Sequence, residues 1–174
     1  MALFHPAFFF LSNLFGGGVW TRILHPFIGV ILFALFVYMA LGFARHNHIT
    51  DNDRAWMKRI KDVINNKDDN LPPVGKYNAG QKYFFWTQVV CIPLLFVTGI
   101  IMWQPYFASS FPGMLLRIAL LLHALAAFVS IAGIMVHIYA AIWVKGSIRA
   151  MTRGYVSKAW AKHHHAAWYK EVSK

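Results

Sequence analysis

Three apolar stretches, separated by charge-rich ones, organise this sequence. The pattern predicts membrane spans over 26–44, 83–103 and 114–144. The last is the longest: apart from Arg117 near its start, Met114 to Val144 is apolar except for His123, Ser130 and His137. About 20 apolar residues cross a bilayer core, so this stretch should tilt or extend past the membrane on one side. His25-Pro26 should open the first span, because proline is tolerated in a first turn where its missing N–H costs nothing. Arg45, His46 and His48 close it. In the second span Pro93 marks a kink, and Trp103 and Tyr106 stand where an aromatic belt belongs.

The segments between are short or polar. Residues 1–19 are broken by His5, Pro6, Asn13 and the run Gly16–Gly18. They are too short to span and lack the basic start of a signal peptide, which predicts an interfacial or re-entrant segment. Residues 45–82 form a hydrophilic loop with an amphipathic helix expected from Asp53 to Ile64, where Trp56, Ile60 and Ile64 recur at helical spacing. Leu71-Pro72-Pro73 ends that helix. Gln104 to Gly113 is a short turn, and 145–174 is a basic, amphipathic tail.

Composition agrees: 58% of the 174 residues are hydrophobic and only 13% charged, which makes this an all-α integral membrane protein, one transmembrane helical bundle over 1–174. The net charge of +11 does not signal nucleic acid, because of 17 Lys and Arg eight lie in 45–82 and seven in 145–174. Positive charge gathered in the loops of one face is the positive-inside pattern, so loop and C-terminus should be cytoplasmic. Cys91 is the lone cysteine, which rules out a disulfide within the chain. With no C-x-x-C-H motif, any haem is held non-covalently. A transporter is disfavoured, since no intramembrane carboxylate or broken helix pair stands out.

Ionisable side chains inside a span mark function by default. His123 and His137 are 14 residues apart, so at ~100° per residue they fall about 40° short of four full turns and share nearly one face, ~21 Å apart along the axis. Two readings stay open: one imidazole offered to a haem in each leaflet, or two histidines bonded to neighbouring helices. Three alternating spans make the first and third parallel, which brings His25 and His123 to the same leaflet as a pair of axial ligands for one b-type haem. His137 then points to the basic side with no partner in this sequence. His46 and His48 read as surface histidines. His163-His164-His165 cannot hold one ion, because adjacent side chains diverge around a helix axis; they read as a solvated tail or docking surface. A chain with both basic loops inside would also need its N-terminus carried across. That need and the missing partner of His137 together lead us to expect a further span upstream of Met1.

Several motifs carry a family resemblance. Arg22-Ile23-Leu24-His25-Pro26-Phe27, the run from Val74 to Lys82 (VGKYNAGQK), Gln104-Pro105-Tyr106-Phe107-Ala108, His137-Ile138-Tyr139, Trp143 to Ile148 (WVKGSI) and Trp160-Ala161-Lys162-His163-His164 resemble the gamma subunit of respiratory membrane-bound formate dehydrogenase, a di-haem cytochrome b of the bacterial inner membrane. The resemblance implies four spans holding two b-type haems, partnership with an iron–sulfur beta subunit and a molybdenum or tungsten alpha subunit that oxidises formate, and quinone as electron acceptor. It implies that His25 and His123 ligate the haem on the iron–sulfur side, that His137 ligates the haem near the cytoplasm, and that Asn78, Gly80 and Gln81 line the quinone pocket. The sequence departs from the family in lacking its first span, in having Gln104 where Arg is usual, and in having Ala166 where Pro is usual. Read without the resemblance, Asn78 to Gln81 is an N-cap and first turn. Two other functions remain open: a cytochrome b for another quinone-linked complex such as a hydrogenase or thiosulfate reductase, and a haem-poor membrane anchor.

Overall fold

The computed structural model describes residues 13–14, 16–65, 67, 71–144 and 146–173, and among these all regular structure is helical. Three helices are long and apolar enough to cross a membrane. They are α1 (Gly18–Phe43), α4 (Ala79–Met102) and α5 (Gly113–Trp143). Between the first two lie α2 (Asp51–Lys58) and α3 (Ile60–Ile64). After α5 come α6 (Ser147–Arg153), α7 (Lys158–His164) and α8 (Ala166–Val172).

Three expected boundaries move, the simplest being α4, which begins at Ala79, four residues before the expected Tyr83. The first helix begins at Gly18, so Pro26 lies inside it and does not open it. Gly16 and Gly17 have φ of +81° and +91°, the left-handed region where side chains are strained, and they end the preceding turn just before the helix starts. Pro26 then forfeits only its own bond to the Arg22 carbonyl. The amphipathic helix expected over Asp53 to Ile64 is split, because the chain leaves helical dihedrals at Arg59. Trp56 is buried as its periodicity implies, but Ile64 is 65% exposed. Residues 1–12 and 15 of the segment 1–19 lie outside the described residues, so its expected interfacial or re-entrant course does too; its last two residues belong to α1.

The chain divides into two compact units, each of which draws on α1, α4 and α5. The first comprises Met1–Met39 and Cys91–Ala127. Here α1 and α4 pair through aromatic rings: Phe33 stacks on Phe96 at 4.0 Å and Phe27 meets Trp103 edge-on at 5.1 Å. Ala119 and Ala126 are buried on α5. Small residues let apolar helices approach closely where lipid offers no hydrophobic drive for association. His123 lies between them at i+4 and i+7 spacing, on this inward face. Large apolar residues elsewhere on the helix, such as Leu121, are exposed as a lipid-facing side requires.

The second unit comprises Ala40–Val90 and Phe128–Lys174, and it is held by polar contacts. Thr50 and Asp53 form a capping box that starts α2. Asp53 also takes the Lys82 ammonium at 2.7 Å, with both side chains nearly excluded from solvent. Lys82 donates in addition to the His48 carbonyl, and the Trp86 indole N–H donates to the Asn47 carbonyl. α4 and α5 are joined where the Ser130 hydroxyl donates to Gln88 Oε1 at 2.6 Å. The tail returns to the loop: the backbone N–H of Ala167 donates to the Val74 carbonyl.

Candidate functional site

In the first unit α1 presents His25 and α5 presents His123, with ring centroids 6.1 Å apart and planes at 71°. Two imidazoles on opposite sides of one metal atom, each bound at ~2.0–2.1 Å, have centroids roughly 6 Å apart. The separation therefore fits a shared iron. It also suits a direct edge-to-face contact.

Thr98, on α4, lies 2.9 Å from His123 Nδ1 through its hydroxyl oxygen. The same hydroxyl is 2.6 Å from the Leu94 carbonyl. A carbonyl can only accept, so the single hydroxyl hydrogen goes to Leu94. Thr98 is then left as an acceptor, and His123 Nδ1 must carry the proton that it receives. The Nε2 lone pair of a neutral imidazole is thereby left for a metal. That is the arrangement in which a metal-ligating histidine is usually held, its second nitrogen donating to an oxygen. Among the described residues the His25 ring makes no hydrogen bond, so His123 is the anchored member of the pair.

In the second unit His137 meets no other imidazole among the described residues. Its ring stacks on Phe84 of α4 at 4.4 Å, nearly parallel at 7°. Gly133 lies alongside, where an added Cβ would meet the Phe84 ring at an ordinary contact distance of 3.5 Å.

One turn before Phe84 stand the residues that open α4. The Asn78 backbone N–H donates to Gln81 Oε1, and the Gln81 backbone N–H donates to Asn78 Oδ1, both at 2.9 Å. This is a reciprocal cap, and it settles the amide orientations, because a backbone N–H needs an oxygen opposite it. Each side-chain NH2 is left pointing away from the cap with two donors to offer. A Cβ on Gly80 would stand 3.4 Å from Asn78 Oδ1 and 3.8 Å from the Trp56 ring. Both are ordinary contact distances, and they show α2 packed against the start of α4.

Among the titratable groups outside the spans, Asp53 and His165 are shifted by their partners and burial. Burial pushes the Asp53 carboxyl up, but hydrogen bonds from Lys82 and from the Thr50 backbone and hydroxyl outweigh it and leave the group below its ordinary 3.8. Burial pulls His165 below its ordinary 6.5, partly countered by its Nδ1–H donating to the Gly75 carbonyl at 2.7 Å. His163 and His164 contact each other edge-on, and His164 and His165 both lie against the Trp160 ring.

The structure thus brings His25 and His123 together, and it gathers Asn78, Gly80 and Gln81 at one helix start. It gives His137 a phenyl ring as its neighbour. Sequence reading passed over Thr98, Phe84 and the pair Asp53–Lys82. A hydroxyl or an ion inside or beside an apolar run was the available signal, since such groups are buried only when partnered.

The chain matches the family model described as prokaryotic cytochrome b561 over residues 2–154. It is 47% identical over 169 residues to the formate dehydrogenase cytochrome b556(fdo) subunit of Escherichia coli K12, covering 97% of this chain and 79% of that protein. Identity to the cytochrome b556(Fdn) subunit of the nitrate-inducible formate dehydrogenase of the same organism is 43% over 174 residues, covering 100% and 80%. The formate dehydrogenase cytochrome b556 subunit of Haemophilus influenzae is 45% identical over 171 residues, covering 98% and 72%.

Proposed function

The chain belongs to the prokaryotic cytochrome b561 family, and on that footing we propose that it is the haem b membrane subunit of a formate dehydrogenase complex. In this role it anchors the complex in the bacterial inner membrane and passes electrons from an iron–sulfur subunit, itself supplied by a molybdenum or tungsten formate-oxidising subunit, to quinone. The observation that carries the reading is the facing pair His25–His123, 6.1 Å apart, with the His123 Nδ1–H engaged by Thr98.

When bound, a b-type haem supplies one-electron transfer between the two-electron chemistries of formate and quinone. The chain's part is to hold and to orient. His25 and His123 would hold the haem between two imidazoles from different helices, a ligand set that would favour a low-spin iron. His137 offers a further imidazole for a second haem on the basic side. Asn78 and Gln81, with their oxygens used in the cap, direct N–H donors at a quinone carbonyl. Their place at the start of α4, beside the basic loop 45–82, lets cytoplasmic water deliver the two protons that quinone reduction consumes. The basic loop and the tail 145–174 lie on the cytoplasmic face by the positive-inside rule.

The test is a reduced-minus-oxidised spectrum of the purified complex. Formate should produce b-type bands, and added quinone should discharge them. A complex that reduces quinone from formate with no b-type bands would make this chain an anchor only.

A further inference from the structure

We propose that Thr98 is a positioning residue for the haem held by His25 and His123: its hydroxyl fixes the His123 tautomer and holds that haem at a lower reduction potential. The inference rests on the ligand assignment above.

Thr98 is 3% exposed, in an apolar stretch where an unpartnered hydroxyl would be costly. Its hydrogen is committed to Leu94 at 2.6 Å, with Leu95 as a longer second acceptor at 3.2 Å. A hydroxyl that has already donated is a better acceptor, because successive hydrogen bonds polarise one another. The His123 Nδ1–H at 2.9 Å is the group that uses it. Donation from Nδ1 leaves electron density on the ring and makes Nε2 more basic. A more basic axial ligand favours the ferric over the ferrous state, so the potential falls. Threonine suits the post better than a longer polar residue. Its branched Cβ has few rotamers in a helix, and the back-bond to Leu94 selects the one observed. Gly99 lies beside the ring, where an added Cβ would stand at ordinary contact distance, 3.5 Å from His123 Cε1. His25 has no such partner among the described residues, so the tautomer and ring orientation of the pair are set from one side.

The experiment is a redox titration of the haem-loaded complex carrying Thr98→Val or Thr98→Ser, with His123→Ala alongside. Valine keeps the shape and removes the acceptor. A hydrogen bond of this kind is worth about fivefold in an equilibrium, so Thr98→Val should retain low-spin haem with its midpoint raised, the reduction equilibrium shifting about fivefold, ~40 mV for one electron. Thr98→Ser should titrate as the parent does. An unmoved midpoint in Thr98→Val, with His123→Ala having lost the haem, overturns the role of Thr98 and spares the ligand assignment. Survival in His123→Ala of the low-spin haem assigned to the His25–His123 site, with the full parent complement of haem, overturns both. If Thr98→Val fails to load haem, the serine variant decides. Loading at the parent potential shows that the hydroxyl is what the site needs; failure to load shows that the methyl group's packing sets it, and the proposal falls.

Discussion

The two units handle α5 differently. Where α5 carries His123, a second imidazole from α1 faces it and a hydroxyl from α4 holds its far nitrogen. Where α5 carries His137, α4 supplies only a flat phenyl ring, stacked at 4.4 Å. One helix thus bears two histidines in nearly the same register, and the neighbouring helices decide what each can do. The first faces a second imidazole and has its Nδ1 engaged by a hydroxyl; the second is stacked on a phenyl ring. Polar investment runs the other way. Around His123 it is a short chain of hydrogen bonds through Thr98, whereas the second unit holds a buried ion pair, side-chain caps at Thr50, Asn78 and Ser157, and the pair Gln88–Ser130. A ligand needs a free lone pair and so a sparse environment. A membrane-edge binding surface needs several groups fixed at once.

The sharpest way to break this contrast is to remove each imidazole in turn. His123→Ala should abolish the low-spin haem of the first unit completely, while His137→Ala should leave its absorption and spin state unchanged; optical and low-temperature paramagnetic resonance spectra read both. Equal effects of the two variants would erase the distinction.

The ion pair comes next in size. Asp53→Ala leaves the buried Lys82 ammonium without its counter-charge, and stranding one partner costs about 3–5 kcal/mol. Thermal unfolding in detergent should fall accordingly, with the His25–His123 haem the last feature to be lost. The pH dependence has a definite sign. Because the Asp53 carboxyl titrates below its ordinary 3.8, its contribution is full above that value and is lost as pH falls through the lower folded value. An unfolding temperature insensitive to acid below pH ~4 would mean the pair contributes little.

Asn78→Leu and Gln81→Leu sharpen the comparison further. Each removes half of the reciprocal cap, worth about 1 kcal/mol, and one set of N–H donors. Both should slow quinone reduction while formate still reduces haem at the parent rate. Normal quinone turnover in both variants would reduce this segment to a helix start.

The smallest effect concerns the tail. His165 titrates below its ordinary 6.5, so between the two values the unfolded tail binds more protons than the docked one, and docking weakens as pH falls through that window. Limited proteolysis should cut the tail faster under mild acid, and His165→Phe should remove the pH dependence.

The spans were legible because apolar runs of this length have no other stable home, and the pair His25–His123 was legible because parallel spans put both near one leaflet. The start of α1 was not. Pro26 reads as a first-turn residue, yet two left-handed glycines further upstream begin the helix and the proline is absorbed inside it at the loss of one bond. Asn78 and Gln81 were visible as a cap or as binding residues, and the observed geometry allows both, because oxygen and nitrogen of one amide do different work. Thr98 was invisible for a different reason. A single hydroxyl on an apolar helix gains meaning only from the ring packed against it, and that pairing joins α4 to α5 by tertiary structure alone.

The most direct test of the central claim, that His25 and His123 hold one iron between them, is chemical replacement of a single ligand. In His25→Gly the low-spin b spectrum should give way to a five-coordinate, high-spin one, and free imidazole added to the complex should restore the low-spin bands. A His25→Gly complex whose low-spin spectrum is unchanged before any imidazole is added would contradict it.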